Sequence, residues 1–503
     1  MAMNVVNPAT FFDSSSDRNL PNEIDIVVIG SGLGSLSAAV LLAKAGKRVI
    51  VLEQNYLPGG CVSSYFRKGY VFEAGATTLV GLDEAMPLRE ILNRTGMEIQ
   101  VQKLETPMEI SLKNGDTITR YGNLDEWIKE AERVFGKTGQ AEFWKDCYAI
   151  SAFVWNTSTR QLAFPPDSFS DLMECIRKVQ IGDFLKIPYA FQSTFDLLKK
   201  HGLDTHTEFV EFVNEQLMIT AQNTCKEVNA LFGATALCYT LLGNYYLPGG
   251  MIQLILPFVE YLKSHSGDLF LKTGVTHIEK SGKSWIIHTN RGAVRCNQVI
   301  AGIPMNNVLD LVDSVPLKAK LNRKILPIEN LNSAFQVGIV FKRSKSFLSL
   351  HHQIHLNKNL GFEGSNSIFI SLSDEHDLLR APEGMCVASV STHVKLPCNT
   401  PIDKEKAVST ILETLEQHGF FEKEDVIYSH VAGPETWENW TLRKGGFVGG
   451  YPQFQKIKPW NMMNARLTKG FYLCGDSVYP GQGIPGVALS GMIAANKLLM
   501  DFI

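Results

Sequence analysis

The hydrophobic pattern near the start of the chain changes period twice within a short stretch. Residues 23–30, EIDIVVIG, are an acid-led apolar run of strand length ending in glycine. Residues 35–45, SLSAAVLLAKA, have helical composition, and Gly46 stops them. Residues 47–53, KRVIVLE, form a second strand-length apolar run. Strand, glycine loop, helix and strand in this order predict a βαβ unit and a parallel sheet. The alternation then ends. Residues 97–123 alternate apolar and polar positions around an Asn114-Gly115 turn signal, which predicts antiparallel sheet. Residues 124–245 read as mainly helical. Short strands at Leu269–Lys272, Val275–Glu279, Trp285–His288 and Gln298–Ala301 predict a β-meander. More strands are expected at 333–342, 366–372 and 386–393, then a helix near 402–418, a last strand at Phe471–Cys474 and a terminal helix from Pro485. There is no internal repeat or low-complexity segment.

At 503 residues the chain is long enough for two or three domains. Lys and Arg number 48 against 51 Asp and Glu, a balance that argues against a nucleic-acid surface. With 45% hydrophobic and 20% charged residues, the chain has enough apolar surface for a core and an apolar cavity. Residues 1–22 lack the apolar stretch of a secretory signal, and Asp13, Asp17 and Glu23 fit a transit peptide poorly, so a short tail is expected. The nine cysteines form no C-x-x-C pair, which points to a reducing, cytoplasmic compartment. His351, His352 and His355 are the one metal-like grouping; without a nearby acid or cysteine they read as a polar loop, and no metal site is expected. No apolar run is long enough for a spanning helix. From Val228 to Val259 there is no charged residue; this stretch reads either as a buried helix pair or as the wall of a lipophilic tunnel, or a surface that dips into a membrane.

The loop Gly30-Ser31-Gly32-Leu33-Gly34-Ser35 follows the first strand as a dinucleotide fingerprint does, with Ser35 at the usual third glycine. Gly30 permits the tight turn, Gly32 lets the backbone approach a pyrophosphate, and the helix N-terminus offers unpaired N–H groups. Glu53 ends the second strand at the spacing of the acid that binds an adenosine ribose, and its charge disfavours NADP. A plain NAD domain would continue into another helix and parallel strand. Here Leu57-Pro58-Gly59-Gly60-Cys61 turns instead into residues 65–72. At the other end, residues 471–476, FYLCGD, deliver an aspartate, and the glycine-rich stretch 477–487 leads into an apolar helix. That second helix N-terminus suits negative charge on a reduced flavin, and Asp476 suits ribityl hydroxyls.

The two ends resemble the FAD-dependent carotenoid desaturase family, which includes carotenoid isomerases and retinol saturases. The head VVIGSGLGSLSAAVLLAKAGKRVIVLEQNYLPGG with GYVFEAGATTLVGL, and the tail CGDSVYPGQGIPGVALSGMIAANK, carry the likeness over about a quarter of the chain. Leu247-Pro248-Gly249-Gly250 resembles the segment that returns such chains to the cofactor domain. The resemblance implies a mixed α/β, two-domain, Rossmann-type (glutathione reductase-like) FAD-binding fold. Residues 23–85, 245–305 and 430–503 would bind FAD, and 86–244 and 306–429 would form a discontinuous substrate domain of mixed sheet and helices. It implies noncovalent FAD: Gly30, Ser31, Gly32 and Gly34 along the pyrophosphate, Glu53 on the ribose, Gly60 and Cys61 near the flavin, Val275 against the adenine, and Gly475, Asp476, Gly486 and Val487 at the ribityl chain and flavin. It further implies desaturation, saturation or cis–trans isomerisation of a long apolar polyene, with peripheral membrane contact through 228–259 or helices at 180–200. No catalytic acid or base is assigned; Glu73, Glu435, His393 and Arg443 are candidates by position alone. Three rivals remain open here: a flavin amine oxidase, a non-catalytic prenyl-binding escort protein, and an NAD dehydrogenase.

Overall fold

The computed structural model describes residues 18–502. The expected tail therefore lies outside the described residues up to position 17.

An eight-stranded sheet forms the first layer. Strands Gly267–Phe270, Val49–Leu52, Glu23–Ile29, Gly292–Ala301 and Phe471–Leu473 lie side by side in parallel. The meander Val275–Ser281, Ser284–Thr289 and Gly292–Ala301 extends it with antiparallel pairs. Ile26, Val27, Val28, Val49 and Val51 are wholly buried, because both faces of such a sheet are covered. The expected βαβ unit is present: the first helix runs Leu33–Lys44 and is buried on nearly every side. The last helix, Ile484–Met500, packs against it, and the crossing is close. A Cβ on Gly491 would stand 2.2 Å from the Gly34 carbonyl oxygen. The two ends of the chain thus meet backbone to backbone.

The second sheet has seven strands in the order Val426–Ala432, Asn332–Lys342, Met385–Lys395, Ser367–Leu372, His351–His355, Met108–Ser111 and Thr117–Arg120. The hairpin read at Asn114-Gly115 is its edge, with Ile110 opposite Ile118. Residues 430–432, assigned from the sequence to the cofactor segments, lie in this second sheet. Helices Leu124–Phe135, Gln140–Arg160, Thr207–Thr220 and Ala230–Leu237 surround a core that includes Trp127, Trp144 and Phe212.

Two expectations need correction. His351, His352 and His355 are not a polar loop but a buried central strand. His351 accepts or donates a 2.9 Å hydrogen bond with Ser371 Oγ and stacks on Phe369; His352 donates to the Ser349 carbonyl. Burial pushes their pKa values down to about 3 and 4, so the rings are neutral and pack as flat polar-edged cores. The second correction concerns Val228–Val259. Most of it is interior, so it offers no membrane-dipping surface; its helix Ala230–Leu237 is both buried and, at Phe232, Thr235 and Ala236, part of a cavity wall.

Candidate functional site

Two cavities open off the junction of the layers. The first, of about 360 Å³, runs along the glycine loop. Gly30 there has φ +85°, and a Cβ would lie 2.9 Å from Ile303 Cγ2, so a side chain is excluded on both counts. Gly32 precedes the first helix and has open space where its Cβ would be. Gly59 donates its N–H to the Ser31 carbonyl at 3.0 Å, which sews the Gly59-Gly60 turn to the loop. Glu53 is buried; its carboxylate accepts from the Ser31 N–H (2.8 Å), the Ser31 hydroxyl (2.6 Å) and the Asn55 N–H (2.9 Å). Burial raises its pKa against these hydrogen bonds.

Ser35, the departure from the fingerprint, does not face this cavity's ligand side. It packs on the strand opposite, where a Cβ on Gly302 would fall 1.7 Å from its hydroxyl. The missing third glycine has in effect moved across to Gly302, and close helix–strand packing is kept.

The second cavity, of about 440 Å³, lies between the seven-stranded sheet, the turn at 480–485 and the segments at 154–158, 218–222 and 232–242. Among the described residues that line it, Asp476 is the single Asp, Glu, Lys or Arg. Gln336, Ser391, Phe369 and Gln353 all line it and stand in direct cross-strand register. They form one row across four strands, about 14 Å long at the usual strand spacing. Gln336 is tied to the Glu73 carbonyl at one end, and Gln353 accepts from Gln216 at the other. The two cavities share Cys61, Val62, Asp476 and Val487, so they meet there.

All twelve sequence-nominated residues line one or both cavities. Gly30, Ser31, Gly32, Gly34, Glu53, Gly60, Val275 and Gly475 line the first, Gly486 the second, and Cys61, Asp476 and Val487 both. The four acid–base candidates separate. Glu435 is 81% exposed beside Lys404, a solvated ion pair. Glu73 is buried, paired with Arg380 at 3.1 Å, and accepts from Ser64 Oγ and the Met251 N–H, which ties three segments together. His393 lines the second cavity. Arg443 lines the first and holds Asp476 at 2.8 Å. The sequence reading missed Asn307 and Trp440, which also line the first cavity. Each lies in an irregular or helical stretch with no motif around it.

These geometries can be set beside known proteins. The family described as "Flavin containing amine oxidoreductase" matches residues 36–499. The chain belongs to this family. It is similar to prolycopene isomerase of Arabidopsis thaliana, 26% identical over 514 residues, covering 95% of this chain and 83% of that one. It is also similar to all-trans-retinol 13,14-reductase of Danio rerio, 26% identical over 347 residues, covering 66% and 56%. Among solved structures, a putrescine oxidase variant matches with a TM-score of 0.63 at 15% identity, covering 95% of this chain and 99% of that one. This member of the flavin-containing family is an FAD-dependent oxidoreductase on a two-domain α/β fold. The escort and NAD dehydrogenase readings fall with that finding.

The residues present fit the cofactor. Arg443 Nη1, Asn307 Oδ1 and Trp440 Nε1 are buried without a partner among the described residues, and all three residues line the first cavity. Unpaired buried donors and acceptors are costly unless a ligand completes them. A charged, hydrogen-bonding dinucleotide does so.

Proposed function

We propose that this enzyme acts on carbon–carbon bonds of a carotenoid, retinoid or related isoprenoid polyene, and that residues 23–85, 245–305 and the part of 430–503 that follows the strand ending at Ala432 hold its FAD. One observation carries the reading: an apolar cavity with a single charged lining residue joins the nucleotide-side cavity at Cys61, Val62, Asp476 and Val487. A polyene has almost no polar handles, so it binds through apolar burial, at about 25 cal/mol per Å². An ammonium substrate would find only Asp476 there, already paired with Arg443. That disfavours amine oxidation. The curated relatives named above, an isomerase and a reductase of polyenes, support the same substrate class.

In this reading Gly30, Ser31, Gly32 and Gly34 lie along the pyrophosphate, Glu53 on the ribose, and Val275 toward the adenine. Gly60, Cys61, Gly475, Asp476, Gly486 and Val487 flank the ribityl chain and ring. Bound FAD supplies hydride exchange. The chain's own part is to stretch the substrate along the Gln336–Gln353 row, hold it against the shared residues and exclude water. Burial favours the neutral forms of the cavity groups His393, Tyr239 and Cys61, moving the pKa of His393 down to about 4 and those of the other two upward. They are poor proton carriers at neutral pH. Cis–trans isomerisation needs no net proton transfer and suits this wall best. Because the substrate dissolves in lipid, peripheral membrane contact belongs to the proposal.

The test is anaerobic incubation with cis and trans carotenoids and retinoids, with oxidised and then reduced flavin, and chromatography of the products. Isomers at unchanged oxidation level are expected. Conversion of amines with peroxide release, and none of polyenes, would overturn the reading. Glu53→Ala is expected to lower bound flavin; wild-type occupancy would remove Glu53 from the ribose.

A further inference from the structure

Four consecutive residues, Trp440, Thr441, Leu442 and Arg443, line the first cavity. They are the end of the helix Pro434–Thr441 and the turn after it. Three segments far apart in sequence hold them. The Trp440 carbonyl accepts from Asn55 Nδ2 at 3.1 Å, and the Trp440 ring meets Tyr56 edge-on at 5.7 Å. The Leu442 carbonyl accepts from Asn307 Nδ2 at 2.7 Å. Arg443 Nη2 donates to Asp476 at 2.8 Å. Asn55, Asn307 and Asp476 line the same cavity, so residues 440–443 are fastened across it. Leu442 lines the cavity yet is 56% exposed, which places this stretch between the cavity and solvent.

The fastenings leave three groups over. Asn307 spends its Nδ2 and keeps Oδ1; Arg443 spends Nη2 and keeps Nη1; Trp440 spends its carbonyl and keeps Nε1. Among the described residues lining the first cavity, these are the only buried side-chain nitrogen or oxygen atoms without a partner. All three sit on residues 440–443 or on the anchor at Asn307. Closure here strands polar groups unless it closes on a ligand that bonds them.

Charge and strain point the same way. The lining holds three acids, Glu53, Asp310 and Asp476, and Arg443 is its single Lys, Arg or His among the described residues. A dinucleotide adds the charge of its phosphates to those acids. Helix N–H groups meet part of that load. Arg443 is the one full positive charge, and a guanidinium fork can serve a carboxylate and a phosphate together. Leu442 has φ +55°, a left-handed conformation uncommon for a residue with a side chain. Such strain persists only while surrounding contacts hold it, so closure is opposed from within.

We propose that residues 440–443 are a strap that closes over FAD, with Arg443 pairing its phosphate charge, so that the strap must open before the cofactor leaves. This rests on FAD occupying the first cavity and not on the polyene reading. The test follows flavin fluorescence as diluted holoenzyme releases FAD. Loss of a charge-assisted hydrogen bond should make Arg443→Ala release FAD about ten- to a hundredfold faster. Arg443→Lys keeps the charge and should recover part of that loss. Asn307→Ala removes one fastening and no charge, and should release FAD about two- to tenfold faster. Trypsin reads the opening itself, in wild type alone, and so stands even where a variant does not fold. Free FAD at about a hundred times its dissociation constant should slow cleavage after the exposed Lys444 by about a hundredfold. Cleavage after Lys358, exposed between two strands of the other sheet, should not change. Wild-type release rates in both alanine variants, or equal protection of the two sites, would overturn the strap while leaving FAD in the first cavity. Wild-type flavin affinity in Glu53→Ala would instead remove FAD from that cavity, and the strap with it.

Discussion

The two cavities are built by opposite rules, although they share a wall. The nucleotide-side cavity is made largely of backbone. Its glycines supply close approach, its helix end supplies N–H groups, and Glu53 faces it from the end of a neighbouring strand, with Asp310 and Asp476 also in its lining. The second cavity is made of side chains drawn from helices, the seven-stranded sheet and the turn at 480–485, nearly all of them uncharged. A phosphate-bearing ligand demands particular atoms at particular places. An apolar ligand demands only shape and the absence of unpaired charge, which many residue sets provide. The first cavity therefore constrains its sequence tightly and the second loosely.

The sharpest way to break this contrast is at Gly34. A Cβ there would already lie 3.0 Å from the Val487 carbonyl oxygen and 3.2 Å from the Gly475 nitrogen, both backbone atoms that have no rotamer to yield. Gly34→Val is expected to push the last helix away from the loop and give protein with at least about tenfold less bound flavin. Absorbance of the purified variant measures it. Wild-type flavin content would mean that the two chain ends do not close on the cofactor. A smaller effect is expected where the fingerprint departs from its usual form. Gly302→Ala should cost about 1–3 kcal/mol, because its methyl meets Ser35. Adding Ser35→Gly should restore most of that loss in thermal melts. A double variant no more stable than the single one would refute the exchange of glycines.

The same contrast explains what was legible in the sequence. Gly30, Gly32, Glu53 and Gly475 stand out because each meets a local backbone or charge requirement at fixed spacing. The parallel strands stand out because burial on both faces leaves unbroken apolar runs such as residues 49–52. The row Gln336, Ser391, Phe369 and Gln353 did not stand out. Its members are far apart in sequence, and strand register alone brings them into line. The histidine strand was hidden for a related reason: a histidine reads as polar, yet burial keeps these rings neutral and lets them pack as core. The outward apolar face at 169–191 was legible only in part: the resemblance pointed to helices at 180–200 as a contact surface, but periodicity marks an apolar stripe without saying whether it points inward.

The substrate cavity should tolerate loss of any one polar group yet fail when its shape is lost. Ser391→Phe places a ring in the middle of the cross-strand row. Flavin content should stay at the wild-type level while turnover of a long polyene falls at least about tenfold. Equal losses of flavin and turnover would show that the two cavities do not separate as described.

The smallest effect is expected at His393, the one nominated acid–base residue that lines the second cavity. A working general base there would contribute about 10²–10⁴-fold to the rate. Burial instead lowers its pKa from the ordinary 6.5 to about 4, so near neutrality it holds no proton to give and binds one weakly. His393→Ala should change turnover less than about tenfold, and the rate should show no step near pH 6.5. Stability behaves differently. His351, His352, His355, His393 and His430 all have pKa values lowered to about 3 or 4, so on acidification the unfolded chain takes up their protons first. Folding stability is thus fully present above pH 6.5 and is lost as pH falls from there toward 4. Melting temperature should drop across that window while turnover, measured well below melting, stays level. A rate step near pH 6.5 that disappears in His393→Ala would make this histidine a proton carrier, and the neutral wall of the second cavity would have to be read as a catalytic surface.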